Sequence, residues 1–385
     1  MSSGSPAVPA PPSAMRALRY AGRGAVEVVE WPVPRPGPGE VLVQVAFCGV
    51  CGSDFSEFET GPHQAWVEPR PHPVTGHRGP VVLGHELSGW VVDRGADVTL
   101  PPGALVSCAG GVACGACPPC REGRGNLCED YHIVGMHRDG GLAGFCLAPA
   151  SACMSAGPSG VTPAVAALAQ PAGIAVHALR RAEVAAGDRV AVVGIGGVGV
   201  FLAHAALTWG AQVLAVDPDD ARRGLARRLG AEVDGGSGAA AGDRFAAVFE
   251  VSGTASGLAA ARTLAGPGGH LVLVGIQAAE VSLSAREIVM SELTVHGAVS
   301  LTTPVDLPEA LRVLATRREG WTDVAPMAFP LQAAADHGLR VGSGGGHIKT
   351  LFSPALSAPT PIAEAERLVQ EGFRRASRSS ISPTE

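Results

Sequence analysis

"RVAVVGIGGVG", residues 189–199, decides the fold. Arg189 to Val193 is a short apolar, β-branched run closed by glycine, which reads as a fully buried strand. Gly194, Gly196 and Gly199 then follow the spacing G-x-G-x-x-G. In that spacing the first glycine permits a tight turn and the second lets the backbone approach a pyrophosphate. The third lets the following helix pack close to the strand. The stretch "VGVFLAHAALTWG" (198–210) reads as that helix, with its free N–H groups and positive dipole end facing the phosphates. A second strand, "QVLAVD", ends at Asp217, 23 residues after Gly194. A carboxylate there suits a ribose 2′-hydroxyl and repels a 2′-phosphate, which favours NAD over NADP. Two alternatives stay open: Asp217 as a helix cap before "PDDARR", and Arg222 and Arg223 as acceptors of a 2′-phosphate.

Working outward, the helix "DDARRGLARRLGA" and the strands "FAAVFEVSG" and "HLVLVGI" continue the alternation and predict a parallel, doubly wound sheet. Upstream, from Ala17 to about Pro149, the rhythm is different. "VLVQVAF" (41–47) alternates, "LSGWVVDRG" (87–95) is β-rich, and Gly/Pro turns separate such runs, which predicts a β-rich domain. A length of 385 residues fits two domains at roughly 150 residues each. The net charge of −6 with no basic stripe speaks against nucleic acid as a partner. Nothing approaches the run of roughly 18 apolar residues that spans a membrane. The opening "MSSGSPAVPAPPSAM" has neither a basic n-region nor an apolar h-region, so the expectation is a cytoplasmic protein with reduced thiols. Residues 1–14 are expected to be disordered, as is the closing "SRSSISPTE"; "PIAEAERLVQEGFRRA" before it reads as a helix.

Nine cysteines are present, four of them within "CGACPPCREGRGNLC" (114–128). Disulfide scaffolds belong mostly to short secreted chains, and nine is an odd number. Four reduced thiolates at 114, 117, 120 and 128, with glycines and prolines between them, instead fit a closed tetrahedral zinc site. "CGVCGSD" (48–54) and "GHE" (84–86) supply a second group. Cys51, His85 and Glu86 offer thiolate, imidazole and carboxylate, the three zinc ligand types, and three protein ligands leave a position for substrate.

"CGVCGSD", "GHE", the cysteine lobe and "GIGGVG…D" stand in the order seen in the zinc-dependent medium-chain dehydrogenase/reductases, which this chain resembles over about residues 15 to 355. "HPVTGHRGPVVLGHELSGWVV" (72–92) resembles the 2,3-butanediol dehydrogenase branch, with sorbitol and threonine dehydrogenases as neighbours. The resemblance implies a GroES-like catalytic domain (15–168 and 304–355), a Rossmann domain (169–303), and a homodimer or homotetramer. Residues 1–14 are then an N-terminal tail and 356–385 a C-terminal helix and tail. It implies two zinc ions: a catalytic one on Cys51 and His85 with Glu86 adjacent, and a structural one on Cys114, Cys117, Cys120 and Cys128. Ser53 would hold the substrate oxygen and start a proton relay, and Asp54 would orient His85. Val198 would lie against the nicotinamide, and Lys349, the only lysine, near the pyrophosphate.

Two departures stand out. Family members place Cys, Asp or Glu where this chain has Gln170, a weak neutral ligand. The branch commonly has histidine where this chain has Ser56, which can pass a proton through its hydroxyl or a water but cannot act as a base near pH 7. His63 and His72 read as surface-loop residues, with substitution for that histidine as the alternative. The implied activity is hydride transfer between NAD and a secondary alcohol or ketone, a vicinal diol or polyol, with zinc as Lewis acid. Alternatives are a dehydrogenase of cyclitols or aminocyclitols, and a catalytically silent NAD-binding protein.

Overall fold

The structure, a computed structural model, describes residues 8, 10–236, 245–277, 280–337, 339 and 347–379. The expected N-terminal disorder falls largely outside these residues, and so does most of the closing "SRSSISPTE". The chain divides into two units, Met1–Gln170 with Thr302–Glu385, and Pro171–Leu301.

The alternation in "VLVQVAF" suggests a strand with one wet face. The strand Glu40–Gly49 is instead buried along nearly its whole length. It is central: Glu86–Arg94, Phe145–Pro149 and Leu351–Phe352 all pair with it, in an eight-stranded sheet. Leu18, Tyr20, Val43, Val81, Leu83, Leu87 and Leu142 fill the core around it. Each such side chain taken from water contributes roughly 1.5–3 kcal/mol. The register of this strand also builds the site, because Gly49 stands opposite Glu86 and Cys48 opposite Leu87.

The second unit holds a six-stranded parallel sheet. Its order is Glu232–Asp234, Gln212–Val216, Arg189–Val193, Ala247–Glu250, His270–Leu273, Thr294–Gly297. Parallel strands covered on both faces are apolar throughout, which is why Val190 to Val193 show no alternation. The helix Gly199–Thr208 packs on two of these strands and buries seven of its ten residues.

The C-terminal segment forms a helix, Ile362–Ser379, in the first unit. It buries Ile362, Ala365 and Val369 and stacks Phe373 on Trp90, with ring centroids 4.3 Å apart. No described helix is long and apolar enough to cross a membrane.

Candidate functional site

Cys51 sits at the N-cap of the helix Gly52–Thr60, in an extended conformation. Asp54, three residues on, accepts a hydrogen bond from the Cys51 N–H at 2.9 Å, so a capping box fixes the backbone of Cys51. The same buried carboxylate turns its other oxygen toward His85, 3.7 Å from Nδ1. Neither of those facing atoms has a hydrogen-bond partner. Asp54 therefore lies beside the imidazole, as a group orienting a metal ligand does. His85 and Glu86 enter from the start of the neighbouring strand. One donor atom each from Cys51, His85 and Glu86 lies within 4.8 Å of the others. Glycine makes room for them: a Cβ on Gly49 would come 2.4 Å from Glu86 Oε2, and one on Gly110 would come 2.7 Å from His85 Cβ.

The pocket gathers acidic groups around a buried imidazole. Burial pulls the His85 pKa down, but Asp54, Cys51 and Glu86 outweigh it and push it up to about 10. An imidazole held that way marks a place that favours a cation, and thiolate, imidazole and carboxylate are the donor set of zinc. Ser53 is half-buried on the first turn of the same helix. Gln170, near the start of the helix Ala169–Arg181, is buried and its Oε1 accepts no hydrogen bond.

Lys349, expected near the pyrophosphate, ties its ammonium into the pocket of Cys51, His85 and Glu86. Nζ donates to Glu86 Oε1 at 2.7 Å and to the Val50 carbonyl at 3.1 Å. It also lies 2.5 Å from Glu86 Oε2, which carries no hydrogen bond of its own. Glu86 thus arrives with part of its charge already compensated. Sequence reasoning missed this pairing, because 263 positions separate the two residues.

Of the substitute proton acceptors, His72 is occupied. Its Nδ1 accepts from Val74 and Thr75 N–H at 3.3 and 3.1 Å, and its ring packs between Trp66 and His137. His63 meets Thr60 Oγ1 at 2.8 Å, and Ser56 bonds back to the Gly52 carbonyl.

The cysteine lobe forms as its own small site. The sulfurs of Cys114, Cys117, Cys120 and Cys128 all lie within 4.8 Å of one another, with Cys117 3.4 Å from Cys120 and 3.8 Å from Cys128. Tetrahedral zinc–thiolate bonds of about 2.3 Å place sulfurs about 3.8 Å apart. Backbone N–H groups of Ala116 and Cys117 point at Cys114 and bring its thiol down to about 7, which prepares a thiolate.

In the second unit, Gly194 has φ +97°, and a Cβ on Gly199 would lie 1.8 Å from the Gly194 carbonyl oxygen. A Cβ on Gly196 would meet nothing within 4 Å, so its bare side faces open space where a pyrophosphate has room. Val198 is the N-cap of the helix that follows. Asp217 is buried, and its carboxylate accepts from Ile195 N–H at 2.7 Å and Asp219 N–H at 2.9 Å. Asp217 is not the cap of the next helix: Asp219 is, accepting from Ala221 and Arg222 N–H. Arg222 is 46% exposed with its guanidinium 3.6 Å from Asp217, whereas Arg223 is turned back onto the Asp217 carbonyl and Asp220.

Residues 37–158 match the alcohol dehydrogenase GroES-like domain and residues 197–316 the zinc-binding dehydrogenase domain. The chain is 33% identical to L-galactonate-5-dehydrogenase of Escherichia coli, over 74% of this chain and 82% of that protein. Its fold is similar to 2R,3R-butanediol dehydrogenase from Bacillus subtilis, with a TM-score of 0.79 and 26% identity over 88% of this chain and 99% of the other. It is also similar to a zinc-binding dehydrogenase from Sinorhizobium meliloti bound to NADP, with a TM-score of 0.77 and 29% identity over 89% and 100% of the two chains.

Proposed function

The chain belongs to the zinc-type alcohol dehydrogenases of the medium-chain dehydrogenase/reductase superfamily, and from that membership we propose an NAD-dependent dehydrogenase of vicinal diols or polyols carrying two zinc ions per chain. The family activity is oxidoreduction at a secondary alcohol carbon. One observation carries the catalytic assignment: the convergence of half-buried Cys51 with buried His85 and Glu86 beside Asp54.

When bound, zinc supplies Lewis acidity and the nicotinamide carries the hydride. The chain's own residues do the rest. Cys51 is held by its capping box, and His85 is oriented by Asp54. The half-buried Ser53 hydroxyl, two residues from Cys51, is the candidate to hold the substrate hydroxyl and take its proton. Gln170 offers a buried neutral acceptor in place of a third anionic ligand. Polyol substrates fit the named relative that oxidises a sugar acid, and the butanediol dehydrogenase in the structural comparison.

NAD rather than NADP is supported by Asp217, which is fixed by two backbone N–H groups beside the glycine turn and would repel a 2′-phosphate. A homodimer is supported by the edge strand Thr294–Gly297 in the same unit as Val289 and Met290, each 72% exposed. A cytoplasmic location is supported by thiol chemistry that needs reduced cysteines. The test is a panel of diols, polyols and sugar acids followed by NADH absorbance, with metal analysis of the purified chain. Turnover with a vicinal diol and two zinc ions per chain is expected. One zinc per chain and no turnover on any substrate defeats the reading.

A further inference from the structure

Glu250 is a buried carboxylate that the chemistry above does not use. It ends the strand Ala247–Glu250 and is fully buried. Its Oε1 accepts from Ser252 N–H at 2.8 Å, Gly253 N–H at 3.0 Å and the Ser252 hydroxyl at 2.5 Å. Its Oε2 accepts from the Gln277 amide at 3.1 Å. Every one of these donors is neutral, and among the described residues no arginine or lysine pairs with it. Among the described residues the negative charge is solvated by hydrogen bonds and has no charged side chain as partner.

Its place in the sheet matters more than its burial. Arg189–Val193 is flanked by two strands that both follow it in the chain, and they lie on opposite sides: Gln212–Val216 on one, Ala247–Glu250, reached by the return crossover, on the other. That is the topological switch point, beyond whose carboxyl ends open α/β sheets bind their ligands. Gly194 leaves one of the two central strands and Glu250 ends the other. The two turns touch, since a Cβ on Gly194 would lie 2.8 Å from Ser252 N. A Cβ on Gly275 would come 2.9 Å from Glu250 Oε2, so the floor above the carboxylate is glycine-thin there. Asp217, on the far strand, marks the adenosine half of the crevice, and the glycine turn marks the phosphates. The nicotinamide half is left to the side of Glu250.

We propose that Glu250 is a positioning residue that biases the crevice toward oxidised nicotinamide, by shaping the Ser252–Gly253 turn and setting beneath it a negative charge that no described side chain neutralises. The inference rests on the dinucleotide reading. The oxidised ring carries a positive charge and the reduced ring none, so a nearby buried anion favours the first over the second. For R₂CHOH + NAD⁺ ⇌ R₂C=O + NADH + H⁺ that bias leaves the equilibrium in free solution unchanged and shifts the equilibrium between the enzyme-bound forms toward NAD⁺ and the alcohol. A group that only braced a turn would affect both cofactor forms alike.

The experiment measures Kd for NAD⁺ and for NADH, by calorimetry and NADH fluorescence, on zinc-loaded wild type, Glu250→Gln and Gln277→Lys. Glu250→Gln keeps the size and removes the charge. Gln277→Lys keeps Glu250 and sets a cation beside it, so it serves if the first variant does not fold. Both are expected to weaken NAD⁺ relative to NADH by roughly three- to tenfold. An unchanged ratio in both variants, whatever the absolute affinities, overturns the proposal. Wild type that binds neither form overturns the dinucleotide reading beneath it, which is a different result.

Discussion

The ammonium of Lys349 hydrogen-bonds Glu86 at 2.7 Å in the pocket where Cys51 and His85 converge, with both partners of the pair buried. Removing one partner of a buried ion pair costs about 3–5 kcal/mol, because the remaining charge is stranded. Lys349→Met should therefore lower the melting temperature of the metal-free protein markedly. Saturating zinc should restore most of that loss, because it gives Glu86 another cation. Melting curves with chelator and with zinc check this; an equal deficit in both conditions shows that Glu86 does not face the metal.

The two candidate metal sites should separate by mutation. Cys51→Ala should retain one zinc, fold, bind NADH and lose turnover. Cys117→Ala should lose the other zinc and loosen the loop 114–128. Metal content, NADH fluorescence and limited proteolysis read the two out. Loss of both zinc ions from Cys51→Ala contradicts their independence.

Gln170→Ala should leave zinc content intact and change the rate by about tenfold at most, the range of one neutral hydrogen bond of roughly 0.5–1.5 kcal/mol. Glu86→Gln should weaken zinc retention far more. Atomic absorption on both variants decides; the opposite ranking exchanges the roles of Glu86 and Gln170.

Asp217→Ser with Pro218→Arg should move preference from NAD toward NADP, by removing the carboxylate and adding a cation beside Arg222. The ratio of kcat/KM for the two cofactors checks this. A wild type that already prefers NADP shows that Arg222 outweighs Asp217.

His137 should make the fold acid-sensitive. Burial, then the neighbouring His72 and His132, pull its pKa down to about 4 from an ordinary 6.5. Its Nδ1 already accepts from Ile133 N–H at 2.9 Å, so the folded state holds it neutral. A histidine depressed in the folded state contributes stability that is present above pH 6.5. That stability is lost as pH falls toward 4, where only the unfolded chain takes the proton. The charged and titratable groups that act on it are His72, His132 and Glu57. His137→Asn should flatten the stability profile across that window, as measured by denaturant midpoints at several pH values.

What the sequence by itself determined was local. The turn Gly194–Gly199 needs glycine for φ and for close approach, and neighbours within a few positions impose that. The four cysteines lie within fifteen residues, so their spacing alone almost closes the site. Cys51 and Asp54 are one helical turn apart, and the capping box between them follows from that. Tertiary structure decided the rest. "VLVQVAF" alternates in sequence yet is buried along nearly its whole length, because core side chains and the helix Pro163–Ala167 pack on it. Asp217 and Asp219 are equivalent as helix caps on paper; the fold gives the cap to Asp219 and turns Asp217 onto the glycine turn. Lys349 meets Glu86, and Glu250 lies beneath the switch point, through contacts set by strand order and register. Periodicity reports which face of an element is apolar. It carries no information about which distant charge will be buried against it, since that depends on the free energy of the whole packed sheet.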